Sequence, residues 1–188
     1  MTDAPRFTTL VSTAALAEHL NDPRWLIVDC RFDLANPEAG EQMYQEGHIP
    51  GAVFAHLDRD LSSARTGSNG RHPLPSSEQL VETFSRWGIG PDTQVVAYDG
   101  GNSMFASRLW WLLRESGHDA VGVLDGGFAA WMAGQHPTRP GVEERPAGRF
   151  EGTLSRRSWL SADEVAALLN STEHMLVDSR SAERYQGL

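Results

Sequence analysis

Thr93-Gln94-Val95-Val96-Ala97-Tyr98-Asp99-Gly100-Gly101-Asn102 decides the fold, because an apolar, strand-forming run ends abruptly in an acidic residue and two glycines. Such an unbroken run suits a strand buried on both faces of a parallel sheet, with polar groups gathered at its carboxyl end. Just downstream, Ser103 to Glu115 reads as a helix that buries Leu109, Leu112 and Leu113 and stops at Gly117. Just upstream, Ser76 and Gln79 form a capping box, Leu80, Phe84 and Trp87 share one helical face, and Gly88 terminates the helix. Further out, Ser12 or Thr13 caps a short helix carrying Leu16 and Leu20, and Trp25 to Val28 is a second buried strand, followed at once by Asp29-Cys30-Arg31. On the other side, Ala120 to Leu124 is a strand that runs through Asp125-Gly126-Gly127 into a helix containing Trp131. The alternation predicts an α/β domain with a mostly parallel sheet covered by helices on both faces.

Pro137, Pro140 and Pro146, with Gly141 and Gly148, mark residues 135–149 as a linker. Beyond it the sequence begins again. Leu160 to Leu169 repeats the character of Val11 to Leu20, and Met175-Leu176-Val177-Asp178-Ser179-Arg180 repeats Leu26 to Arg31. Both alignments share one offset, since 178 − 29 and 161 − 12 each equal 149. The expected organisation is a first domain over 1–135, a linker over 136–155 and, over 156–188, the truncated start of a second copy. An incomplete repeat leaves Trp159, Leu160, Val165, Leu168 and Leu169 without a core of their own, so residues after about Gln135 are expected to be loosely held.

The balance of 16 basic against 25 acidic residues gives a formal charge of −9, and no basic stripe is present to track phosphates, so nucleic acid is not an expected partner. The start, MTDAPRFTTL, has neither a signal-peptide core nor an Arg-rich amphipathic pattern, and no stretch reaches membrane-spanning length. A cytoplasmic protein without a membrane partner is the expectation. One cysteine, Cys30, excludes an internal disulfide and a cysteine-based zinc site, and limits thiol chemistry to one candidate. No metal or cofactor is implied.

Three stretches resemble the rhodanese domain: Tyr44-Gln45-Glu46-Gly47-His48-Ile49-Pro50-Gly51-Ala52, the strand-loop-helix from Val95 to Trp111, and Leu124-Asp125-Gly126-Gly127-Phe128-Ala129-Ala130-Trp131. The duplication resembles the tandem sulfurtransferases. The resemblance implies a rhodanese-like α/β fold with an incomplete second repeat. It also implies transfer of sulfane sulfur from a small anionic donor, 3-mercaptopyruvate or thiosulfate, to cyanide or a thiol through a cysteine persulfide. The loop after the central strand would aim backbone N–H groups and a helix N-terminus at that cysteine, favouring the thiolate.

Asp99 stands at the corresponding position here, and a carboxylate cannot carry sulfane sulfur. The nucleophile is therefore expected in a second repeat, in a part that this chain does not reach, and the chain alone is expected to be inactive. That missing domain is expected to pack on the first. By the same resemblance, Asp58 and His72 form a relay in which His72 is the base and Asp58 its orienter. Arg184, with Arg180, holds the donor's anionic group, for which a planar guanidinium is suited. Cys30 reads as a small buried core thiol, His48 as a residue satisfying a backbone carbonyl, and Arg31 as a structural partner of Asp29. Trp110, Trp111 and Trp131 read as packing residues, and the Gly-Gly pairs lack dinucleotide-binding spacing. The alternatives are an inactive rhodanese-like regulatory or protein-binding module and, less favoured because of Asp99, a related cysteine-dependent phosphatase.

Overall fold

A computed structural model describes residues 6–155 and 158–188. The chain forms two compact units, one reaching residue 155 and the other beginning at residue 156.

The first unit is built on five strands, β1 (Leu10–Val11), β2 (Trp25–Asp29), β3 (Ala52–Phe54), β4 (Gln94–Tyr98) and β5 (Val121–Leu124). They lie in the order β1-β5-β4-β2-β3, and every pairing between them is parallel. Helices α1 (Thr13–Glu18), α2 (Ala39–Glu46), α3 (Ser77–Arg86) and α4 (Ala106–Glu115) connect them, and α5 (Gly127–Ala133) follows β5. Alternate strand residues feed two cores. Leu26, Val28, Val95, Ala97, Val121 and Val123 join Leu80, Phe84, Leu109 and Leu112 on one face. Ile27, Val96, Tyr98 and Leu124 join Leu16 and Trp131 on the other. Consecutive apolar residues at Leu26–Val28 and Val95–Ala97 follow from burying a parallel sheet on both sides.

The local signals act as expected where they are strong. Ser12 caps α1, and Ser76 with Gln79 makes both bonds of a capping box on α3. The start of α4 differs: the first regular turn begins at Ala106, not at Ser103, which has φ 60°. The donors that would open an earlier turn are taken by a side chain described below.

The segment read as a linker is bound along the first unit. The backbone of Arg139 pairs with that of His48, Gly141 N–H donates to Gln45, Gly148 N–H to the Ser85 carbonyl, and Ser155 N–H to Glu115. Phe150 is buried, and Arg145 donates to the carbonyl of Trp25. Proline and glycine make this stretch irregular, yet its backbone groups find partners on the domain. The loose holding expected after Gln135 is therefore corrected for 136–155, which is a strap.

In the second unit, α6 (Ala162–Leu168) carries the capping box of Ser161 and Glu164, and α7 (Ala182–Tyr185) follows. Neither helix buries a residue, and the repeated run Met175-Leu176-Val177 is exposed and forms no strand.

Candidate functional site

The carboxyl ends of β4 and β5 carry two glycine-rich loops that pack on each other. Asp99 sits at the turn after β4, 1% exposed. One carboxylate oxygen accepts the N–H groups of Gly101 and Ser103, both at 3.0 Å. The other accepts those of Phe105 at 3.0 Å and Ala106 at 3.2 Å. Four inward-pointing donors and the positive end of α4 form a cradle for an anion, and in this chain the anion is the side chain of Asp99. Its carbonyl accepts Phe128 N–H at 2.8 Å, which ties this loop to the start of α5. That approach requires glycine at 127, where φ is 56° and a Cβ would lie 2.6 Å from the Asp99 carbonyl oxygen.

Behind the cradle, Asp29 and Arg31 form a buried pair. Arg31 donates to both Asp29 oxygens and to the carbonyls of Met43 and Gly47, and its guanidinium lies 4.1 Å from the centre of the Phe128 ring. Tyr98 donates its hydroxyl to Asp29 at 2.7 Å, and burial pushes the Tyr98 hydroxyl well above the usual phenol range. Cys30 lies between these residues, 1% exposed. Burial raises its thiol, and Asp29, Asp99 and Asp60 raise it further, so the thiolate is disfavoured.

Asp58 and His72 lie on the long connection between β3 and α3, and the fold brings them together. His72 Nε2 stands 3.4 Å from the Asp58 carboxylate, which also accepts from Arg65 at 3.0 Å. Burial holds the His72 imidazole below its ordinary value; Asp58 opposes that, while Arg108, Arg65 and Arg71 reinforce it. His48 Nδ1–H donates to the Tyr44 carbonyl over 2.8 Å and its ring stacks on the Tyr44 ring, with Glu143 of the strap 3.6 Å away. Trp131 is wholly buried and its indole donates to Pro137.

In the second unit, Arg180 donates to Asp178 with the same fork that Arg31 makes to Asp29. Arg184, in the last turn of α7, adds a second positive charge that acts on Asp178. Among the described residues no cluster of three or more His, Cys, Asp or Glu is arranged to hold a metal ion.

Three contributors were not legible in the sequence. Tyr98 ends a strand like any core residue, yet it closes the Asp29 network. His56 accepts the N–H groups of Asp58 and Arg59 at its Nδ1 and so shapes the turn that presents Asp58. Arg108 looks like a helix-surface arginine but is half-buried.

The family model described as the rhodanese-like domain matches residues 12–134. A probable 3-mercaptopyruvate sulfurtransferase from Pseudomonas aeruginosa is 42% identical over 180 residues, which cover 95% of this chain and 63% of that protein. A thiosulfate sulfurtransferase from Cricetulus griseus is 35% identical over 189 residues, 96% of this chain and 62% of that protein. The chain thus spans less than two thirds of the length of these curated relatives. Among solved structures, SseA from Escherichia coli, described with the rhodanese fold of 3-mercaptopyruvate sulfotransferases, superposes with a TM-score of 0.83 at 30% identity, covering 95% of this chain and 68% of that one.

Proposed function

The chain belongs to the family of rhodanese-like domains, and from that membership we propose that it serves a tandem sulfurtransferase as the supporting part of its active site. The reaction moves sulfane sulfur from 3-mercaptopyruvate or thiosulfate to cyanide or a thiol. A cysteine thiolate attacks the thiol sulfur of 3-mercaptopyruvate or the outer sulfur of thiosulfate. The C–S or S–S bond breaks with its electron pair going to the leaving group, which departs as the pyruvate enolate, then protonated to pyruvate, or as sulfite. Cyanide or a thiolate then takes the outer sulfur of the persulfide and the enzyme thiolate returns.

The observation that carries this reading is the cradle after β4, a loop shaped to stabilise an anionic sulfur but filled by Asp99 through four N–H bonds. The working cysteine then belongs to a second repeat, and Cys30, buried with its thiolate disfavoured, does not replace it. In this reading His72, oriented by Asp58, acts on that second site as base, and Arg184 with Arg180 binds the donor's carboxylate or sulfonate.

Thiocyanate formation from both donors, measured for residues 1–188 and for the natural gene product, tests the proposal. No turnover is expected from residues 1–188 alone, and turnover there that Cys30→Ser abolishes would overturn the assignment. The filled cradle also favours a second reading, a binding module without catalysis. A natural gene product silent toward both donors would support it.

A further inference from the structure

Arg108 projects from α4, the helix that springs from the Asp99 cradle. Its guanidinium reaches the connection that carries Asp58, Arg65 and His72. Nε donates to the Leu61 carbonyl at 2.9 Å. One terminal nitrogen donates to Ser62 Oγ at 3.3 Å and to the carbonyls of His72 at 3.1 Å and Pro73 at 3.2 Å. These partners lie at the two ends of the 62–73 loop, whose base is also closed by Ser63 N–H on the Pro73 carbonyl at 3.1 Å. No carboxylate is among the four acceptors, so backbone dipoles and a hydroxyl hold this charge. Burial lowers the Arg108 guanidinium from its usual value, but an arginine stays protonated throughout the working range. The clamp therefore does not release with pH.

We propose that Arg108 is a positioning residue that fixes the His72 imidazole beside Asp58 by clamping both ends of the 62–73 loop to α4. The proposal rests on the reading of Asp58 and His72 as a relay. It works through His72 and needs no contact with substrate. Burial holds His72 toward its neutral, proton-accepting form, and of the charged groups acting on it the Asp58 carboxylate opposes this while the Arg108, Arg65 and Arg71 guanidiniums reinforce it. Arg108 contributes to that field and holds the His72 backbone carbonyl.

The test is NMR on residues 1–188. The His72 ring signal, assigned by its loss in His72→Gln, is titrated in wild type, Arg108→Met and Arg108→Lys, alongside amide exchange. Methionine keeps the apolar stem and removes charge and donors, whereas lysine keeps the charge but loses the planar fork. The His72 midpoint should rise most in R108M and less in R108K. Amides of 62–73 should exchange about tenfold faster or more in both, while those of β4 keep their protection. If R108M fails to fold, R108K carries the measurement. An unmoved His72 midpoint with unchanged loop protection overturns the proposal, as does a general loss of stability that leaves His72 unmoved. Sulfur transfer is not part of this readout, so a natural gene product without that activity would overturn the function and leave the clamp standing.

Discussion

The chain contains the sequence Val-Asp-x-Arg twice, with nearly the same local geometry and very different surroundings. Arg31 Nη2 lies 2.7 Å from Asp29 and Arg180 Nη2 lies 2.6 Å from Asp178. The side chains of the first pair are 8% and 0% exposed, those of the second 51% and 29%. The apolar run before each turn diverges in the same way. Leu26 and Val28 are wholly buried between neighbouring strands, whereas Met175 and Val177 are 87% and 73% exposed. A two-residue spacing is enough to make the fork. Only neighbours in a sheet turn that fork into a buried junction and the preceding run into a strand.

The largest effect should come from breaking the two turns in parallel. Asp29→Ala leaves Arg31 buried without its carboxylate and removes the acceptor of Tyr98, so denaturant unfolding of the first unit should lose about 3–5 kcal/mol. Asp178→Ala should leave that transition unchanged; equal losses would refute the contrast. Truncating the apolar runs sharpens it further. Leu26→Ala should cost about 2–4 kcal/mol through lost burial and a cavity, while Met175→Ala should leave the unfolding midpoint of the first unit where it was.

A smaller cut goes through the cradle. Asp99→Ala orphans donors at the start of α4 and should destabilise the first unit by about 1–3 kcal/mol, read as a shift in melting temperature. The repeated helix caps give a still smaller contrast. Ser76→Ala should cost about 1 kcal/mol in unfolding of the first unit, whereas Ser161→Ala should register only as local loss of helix in α6.

The mildest effect is that of pH. Burial holds His118 and His72 below their ordinary value of 6.5, so the folded first unit favours the neutral rings. That stability is complete above pH 6.5, where the unfolded rings are neutral too, and declines as pH falls toward the lower folded-state values. His118→Gln should flatten the decline in denaturant titrations between pH 7.5 and 5.5. An undiminished decline would assign it to other groups.

Much of this organisation was legible. The runs at 25–28 and 94–98 and the Ser76 capping box are strong short-range signals. β1 and β3, of two and three residues, are too short to carry a period, and α2 buries little besides Gly40 and Tyr44. The start of α4 was misplaced because the backbone donors around Ser103 are taken by Asp99 rather than by a helical turn. The strap over 136–155 was read as a linker because proline and glycine report local irregularity and say nothing of distant partners.

By itself the sequence determined the buried strands β2, β4 and β5, the capped helices α1 and α3, and the acidic residue followed by two glycines at the end of β4, since these depend on neighbouring side chains and their spacing. The tertiary structure alone decided which Asp-x-Arg pair is buried, that Asp99 fills its own cradle, that His72 meets Asp58 while Arg108 holds the ends of the loop, and that the proline-rich segment binds the domain. Each of these depends on burial and hydrogen-bond partners supplied from elsewhere in the chain, and no local pattern encodes them.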